Sequence, residues 1–510
     1  MNSTFTRVIL GIALVATLSG FLSRATINFL SHRYDVAAEA IGLYGILELA
    51  DGKPLYASRT ERPYHAFIYN PVHAWFSATL LKSVAAQGLR ERVLIIRLIS
   101  LASLFAACLL LHKVFIKPLA VSKTTLAFAW VLALPKFADY ATAVRNDLFT
   151  LALEIGALCA FVYWIRKPRF RTECLFIALW GLAFATRPTA IAILGSAVLW
   201  LLLQRRIHCA LRFASLGLGL TAAMLAVGNW STGGEFIDQA FISNMRPFVR
   251  ADLALFTPSV SSFLACYVLF ATFVWKGIKV GFGNEQKGQQ QLLLLVMGLQ
   301  ACQSLILFFR VGGDTNYFFG ALFSAIPFCC MGIDNLMKPF RFNEKKWLVA
   351  LTIQAALIAV VLFSKTLSAA KVAFLPYEQA AERVRTTLLP HGYLIGSQGA
   401  NLTIHLRGWS YHGPEVSYGV IGFIPPRSFD WVLPDLKKAI AEGTIQTVLW
   451  AGTECKESGP IFRHPYLQLD LIFADHFGNL EKWHDWLCVY RLRSHANSNG
   501  RTTPTQQGVQ

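Results

Sequence analysis

Long apolar runs separated by short charged clusters dominate the first 364 positions. Leu101–Leu111, Leu151–Ile165, Ile191–Leu203 and Trp347–Phe363 are examples. A bilayer core calls for about 20 mostly apolar residues in a helix, fewer where the helix is packed inside a bundle. On that basis the pattern predicts about eleven transmembrane helices, near 7–30, 93–112, 124–140, 148–165, 173–186, 188–203, 210–228, 259–277, 290–309, 317–337 and 346–364. The pair 173–186 and 188–203 is short for two full spans. It reads as a hairpin of tilted half-length helices around Pro188. The run 71–87 begins at Pro71 and reads as a helix lying on the membrane surface, as does 36–50, which ends at the Asp51-Gly52 turn.

The pattern changes past position 370. YLIGSQ, TVLWAG, DLIFADHF and WLCVYRL read as strands, and DWVLPDLKKAIAEG as a helix running from about Asp430 to Gly443. Strands alternating with a helix predict a small α/β layer. The expected fold class is therefore a polytopic α-helical membrane protein with a C-terminal soluble α/β domain. Residues 1–364 form the membrane domain, with a long outer loop over 31–92. Residues 365–493 form the α/β domain, and the polar stretch 494–510 is expected to be disordered.

Composition supports the membrane class. Charged residues make up 15% of the chain, against about 25% in soluble domains, and mean hydropathy is +0.46. The net charge of +18 does not point to nucleic acid, because the basic residues sit in small clusters between apolar runs. Lys113, Lys117 and Lys123, then Arg166, Lys167, Arg169 and Arg171, then Arg205, Arg206 and Arg212, recur on alternate connections. The intervening connections carry fewer. Positive charge marks the cytoplasmic side, so the N-terminus with Arg7 is expected in the cytoplasm. Residues 365–510 are then expected outside the plasma membrane. Arg7 followed by the run to Leu30, without a small-residue cleavage site, reads as a first span. Of 10 cysteines, Cys455 and Cys488 alone fall in the predicted outer domain and are the disulfide candidates.

The outer ends of the spans hold charges of both signs. Asp35 lies in SHRYDVAAE, with Glu39 four residues on. Arg145 and Asp147 lie in TAVRNDLF, and Arg187 at the tip of the hairpin in FATRPTA. Arg310, Asp314, Asn316 and Tyr317 lie in FFRVGGDTNYFFG. Singly, each has an ordinary reading. Asp35 and Asp147 suit helix starts, Arg187 suits a snorkelling arginine, and Gly312-Gly313-Asp314 suits a tight turn. Together, on the side where positive charge is scarce, they point to one shared polar cavity, because charge at membrane depth is costly. Neither a Cys/His cluster with metal spacing nor a phosphate-binding Gly-rich loop occurs, so no tightly bound cofactor is expected.

The stretch DGKPLYASRTERPYHAFIYNPVHAWFSATLL, preceded by a first span and an Asp, resembles the GT-C glycosyltransferases. More narrowly it resembles the protein O-mannosyltransferase, aminoarabinose transferase and RgtA/B/C/D-like group. The matching pieces are Asp35, Gly52-Lys53-Pro54-Leu55-Tyr56, Tyr69-Asn70-Pro71, Asp147, Arg187 and NYFF at 316–319. One departure is that Asp35 is followed by Val36, where many members have an adjacent Glu. The resemblance implies transfer of a sugar from a polyprenyl-phosphate donor to an acceptor hydroxyl of a glycan, lipid or protein at the outer face. Asp35 would act as general base with inversion at the anomeric carbon. Glu39 and Asp147 are further acidic candidates. Arg187, Arg310 and Arg145 are candidates for the leaving phosphate, and Tyr69, Asn316 and Tyr317 for substrate contacts. Some distant members of the superfamily use a divalent ion. A secondary transporter, or a catalytically inactive scaffold of this fold, stands as the alternative.

Overall fold

The computed structural model describes residues 3–31, 39–57, 67–116, 127–128, 131–132, 135–242, 270–281, 287–309, 315–336, 360, 363–364, 366–367, 370, 392–394, 447–452, 469–476 and 486–492. The chain divides into two compact units. One comprises Met1–Ala57 with Phe67–Leu375, and the other contains Pro376–Gln510.

The first unit is helical. Helix α1 covers Ser3–Leu30, α2 Glu39–Ala50, α3 Pro71–Ser83, and α4 Leu89–Leu111, which runs on into a π-helical turn at His112–Ile116. Helix α5 covers Pro135–Ala141, α6 Asp147–Arg166, α7 Phe170–Phe184, α8 Ile191–Leu203, α9 Ile207–Ser231 and α10 Glu235–Ala240. Helix α11 covers Lys287–Phe308 and α12 Phe319–Leu336, and a further helical segment occupies 270–280. Five helical stretches among the described residues are long and apolar enough to cross a membrane: Leu89–Ile116, Asp147–Arg166, Ile207–Ser231, Lys287–Phe308 and Asn316–Asp334. The chain is a multi-pass membrane protein. Part of the predicted span 124–140, most of 259–277 and nearly all of 346–364 lie outside the described residues. The run at 71–87 folds as the 13-residue helix α3, well short of the ~20 residues a span needs.

Local chemistry sets the breaks that matter for the site. Helix α2 stops where Gly52 adopts φ +88 and the Lys53 amide donates back to the Glu48 carbonyl at 2.9 Å. A glycine takes that left-handed conformation without a Cβ penalty. Helix α3 starts on Pro71, whose missing N–H would have been unsatisfied at a first helical position anyway. Between α7 and α8 the chain must leave the helical region ahead of Pro188. Arg187 is accordingly extended, at φ −156 and ψ 122, before a short 3₁₀ turn at Pro188–Ala190. The predicted hairpin break is thus a proline effect, and it places Arg187 at the tip.

The bundle interior is aromatic. Phe161 of α6 packs on Trp164, on Phe176 of α7, on Trp200 of α8 and on Phe213 of α9, with ring centroids 5.2–5.9 Å apart. Phe137 of α5 stacks on Phe319 of α12 at 3.8 Å. Helix α12 also crosses the segment 270–280 backbone against backbone. A Cβ on Gly277 would lie 1.8 Å from the Phe328 carbonyl oxygen, and one on Gly332 would lie 1.9 Å from that of Phe273. Close crossings of this kind use glycine because no larger residue lets the backbones approach.

The second unit holds a four-stranded sheet: β1 Gly392–Leu394, β2 Thr447–Gly452, β3 Leu469–His476 and β4 Trp486–Leu492, in spatial order β1-β2-β4-β3. Strands β1 and β2 are parallel, with Gly392 opposite Thr447. The other two pairings are antiparallel, with Trp450 opposite Cys488 and an irregularity between Leu471 and Phe473. All four strands fall on the strand-like stretches of the sequence. A parallel pair requires a crossover connection. The predicted helix near 430–443 falls in that connection, outside the described residues, as does Cys455 beyond β2.

Candidate functional site

Asp147 opens α6 and is the centre of a buried charged cluster. Its side chain is 1% exposed. One oxygen accepts from Arg145 Nε at 2.8 Å, and the other from Arg187 Nη1 at 2.5 Å and Asn316 Nδ2 at 2.6 Å. Three separate elements meet here: the turn before α6, the tip between α7 and α8, and the 3₁₀ turn Thr315–Phe318 that leads into α12. Arg187 lies over the Tyr317 ring at 4.6 Å, and Arg145 over Tyr140 at 4.9 Å and Tyr69 at 5.8 Å. Charge-assisted contacts of this kind are strongest where water is excluded, and the aromatic faces add cation–π attraction.

Arg145, Asp147, Arg187, Asn316, Tyr317 and Tyr69 therefore lie together. Asp35, Arg310 and Asp314 lie outside the described residues. Glu39 adjoins this cluster: both of its oxygens are engaged by Arg97, and Oε2 also accepts from the amide of Val144, next to Arg145, at 2.6 Å.

The Tyr69-Asn70-Pro71 stretch holds the frame around the cluster. Asn70 Nδ2 donates to the Phe184 carbonyl at 2.9 Å, and the Val72 amide to the Ala185 carbonyl at 3.2 Å. Asn146 Nδ2 donates to the Thr186 carbonyl at 2.9 Å. Helix α3 and the start of α6 are thus both fastened to the end of α7, within the three residues before Arg187. The Tyr56 hydroxyl donates to the Tyr69 carbonyl at 2.6 Å, tying in the Lys53-Pro54-Leu55-Tyr56 turn. His73 of α3 is buried beside Phe149. Burial pushes its imidazole down to about 4 despite the opposing pull of Asp147, so it is neutral at physiological pH.

Polar residues that the sequence reading did not single out extend the site inward. Glu154 lies seven residues beyond Asp147 on α6, two turns away on the same face. It accepts from Gln300 Nε2 at 3.0 Å, and Gln300 Oε1 accepts from Ser324 at 3.1 Å. A cavity of about 30 Å³ borders Asp147, Thr150, Glu154, Arg187, Gln300 and Asn316, enough for about two waters. Among the described residues, Asn316 Oδ1 is buried there without a partner. The available signal was an acidic residue in the middle of an apolar run, since such groups are rare in spans and face the bundle interior. Among the described residues no group of three or more His, Cys, Asp or Glu is placed to hold a metal ion.

No family model matches the sequence, and no curated protein matches it significantly. Its fold is found among solved structures. ArnT from Cupriavidus metallidurans, solved bound to undecaprenyl phosphate, superposes with a TM-score of 0.59 at 13% identity, over 96% of this chain and 98% of that one. The same protein in the apo state gives 0.57 at 15% identity, with the same coverage. The Archaeoglobus fulgidus oligosaccharyltransferase in the apo form gives 0.49 at 11% identity, over 95% of this chain and 75% of that one. The chain has the fold of ArnT.

Proposed function

We propose that the protein is a membrane glycosyltransferase. It moves a sugar from a polyprenyl-phosphate donor to an acceptor hydroxyl at the extracytoplasmic face, with inversion. The observation that carries this reading is the Arg145–Asp147–Arg187–Asn316 cluster at the meeting point of three helix ends. It occurs in a fold shared with a protein crystallised with undecaprenyl phosphate. Two guanidiniums face one carboxylate, which leaves positive charge for an incoming phosphate. Asp147 holds both guanidiniums in place before the donor arrives, so little reorganisation is needed as charge develops on the leaving group.

Asp35 takes the acceptor proton as the hydroxyl oxygen attacks the anomeric carbon. The bond from that carbon to the phosphate oxygen breaks, and its electron pair leaves with the lipid phosphate. Arg187, with Arg145 and Arg310, receives that charge. Tyr69, Asn316 and Tyr317 border the donor. Glu39, with both oxygens committed to Arg97 and Val144, serves as a clamp. The sheet unit is an extracytoplasmic α/β domain, and Cys455 and Cys488 are its disulfide candidates. The agreement with ArnT over nearly the whole of both chains favours this reading over a transporter.

Replacing Arg187 tests the phosphate assignment. A lysine keeps the charge but loses the planar fork that reaches both Asp147 and a phosphate oxygen. Arg187→Lys in lipid nanodiscs is expected to bind undecaprenyl phosphate about tenfold more weakly, the loss of roughly one charge-assisted hydrogen bond. Titration with undecaprenyl phosphate reads this directly. Equal affinity in wild type and variant would remove Arg187 from the phosphate site.

A further inference from the structure

Arg97 lies on α4 in the stretch VLIIRLIS, and its side chain and that of Glu39 are both 0% exposed. Its Nη1 donates to the carbonyls of Asn28 at 2.9 Å, Phe29 at 3.1 Å and Ser31 at 2.9 Å. Its Nη2 and Nε engage the two oxygens of Glu39. Glu39 Oε2 in turn accepts the Val144 amide at 2.6 Å, and Ser100, one turn further along α4, donates to the Ala143 carbonyl at 2.7 Å. One guanidinium therefore gathers the end of α1 and the start of α2. Through Glu39 it also gathers the backbone immediately before Arg145.

This arrangement has a consequence for the seven residues between Ser31 and Glu39. Ser31 and Glu39, the described residues on either side, are tied to the same side chain. Val144, the third attachment, is three residues from Asp147. A buried ion pair is weak evidence for stability, since desolvation offsets much of its attraction, and such pairs are best attested where they fix one geometry against others.

We propose that Arg97 is a positioning residue for the transfer reaction. Acting through Glu39, it holds the end of α1 and the start of α2 in register with the Arg145–Asp147–Arg187 cluster. The inference rests on the glycosyltransferase reading for its chemical consequence, but the clamp itself has a readout that does not depend on transfer. Lysine cannot replace Arg97, because an ammonium has no planar fork to serve a carboxylate and three carbonyls at once.

The test uses the full-length protein in nanodiscs as wild type, Arg97→Lys, Glu39→Gln and, as a control, Trp200→Phe in the aromatic core away from the clamp. Undecaprenyl phosphate binding counts the folded sites. Turnover per site is measured with undecaprenyl-phosphate mannose, glucose and aminoarabinose as donors, and hydrogen–deuterium exchange is followed at 31–39 and 142–147. Both clamp variants are expected to lose at least tenfold in kcat per site with donor KM within twofold, and to exchange faster at both segments together. Trp200→Phe is expected to lower the unfolding temperature without either change. Unchanged kcat per site, equal losses in the control, or faster exchange at only one segment would overturn the proposal. Coupled exchange in a wild type that transfers none of the sugars would instead refute the glycosyltransferase reading and leave the clamp standing.

Discussion

Asp35→Asn is expected to reduce sugar transfer by about 10²–10⁴-fold, the usual contribution of a positioned general base, while undecaprenyl phosphate binding stays near the wild-type value. The separation follows from the roles proposed: Arg145 and Arg187, fixed by Asp147 on α6, are assigned to the phosphate, and Asp35 to the acceptor proton. Asparagine keeps the size of aspartate and one acceptor oxygen but cannot accept a proton at neutral pH. The loss therefore appears in kcat, with lipid affinity as the internal control. Transfer by Asp35→Asn at the wild-type rate would remove the base assignment, whatever the fate of the fold reading.

Asp147→Ala is expected to damage the fold itself. Removing the carboxylate leaves the Arg145 and Arg187 side chains, only 13% and 16% exposed, without their shared counter-ion. Breaking a buried pair by deleting one partner typically costs about 3–5 kcal/mol, and here two guanidiniums lose the same carboxylate. Asn316 Nδ2 loses its acceptor as well. The predicted result is a marked fall in unfolding temperature and in recoverable protein. Asp147→Asn should fare better, since it keeps an acceptor oxygen for one guanidinium. Double replacement of Asp147 with Arg187 should recover part of the loss, because it removes a carboxylate and a guanidinium together. Equal stability of all three variants would show that the cluster carries little structural load.

The same residues explain what the sequence could disclose. Arg145, Asp147, Arg187, Asn316 and Tyr317 interrupt or border apolar runs, so their position at span ends is visible in the hydrophobic pattern. That they meet around one carboxylate is a tertiary fact, set by which helix ends pack together. Arg97 and Glu154 escaped notice for the opposite reason. Each sits inside a run whose other residues are apolar enough for the whole to read as a span, and the partners that make such a charge tolerable come from distant segments: Glu39 for Arg97, Gln300 for Glu154. Glu39 stands four residues from Asp35 in the sequence, a spacing that carries no sign that Arg97 engages both of its oxygens. In the second unit the β-branched and aromatic content of TVLWAG and WLCVYRL marks strands locally. The order β1-β2-β4-β3 depends on a long crossover and on pairing between distant segments, which local pattern does not encode.

The most direct test of the account is the stoichiometry of the reaction. Purified protein in nanodiscs would be given undecaprenyl-phosphate mannose, glucose or aminoarabinose together with lipopolysaccharide, cell-wall glycan and membrane protein as acceptors. Free undecaprenyl phosphate and sugar incorporated into the acceptor would then be counted. The account predicts that the two appear one to one for at least one donor, with the anomeric configuration inverted. Movement of intact lipid-linked sugar from one leaflet to the other, with no free lipid phosphate and no glycosylated acceptor, would contradict it.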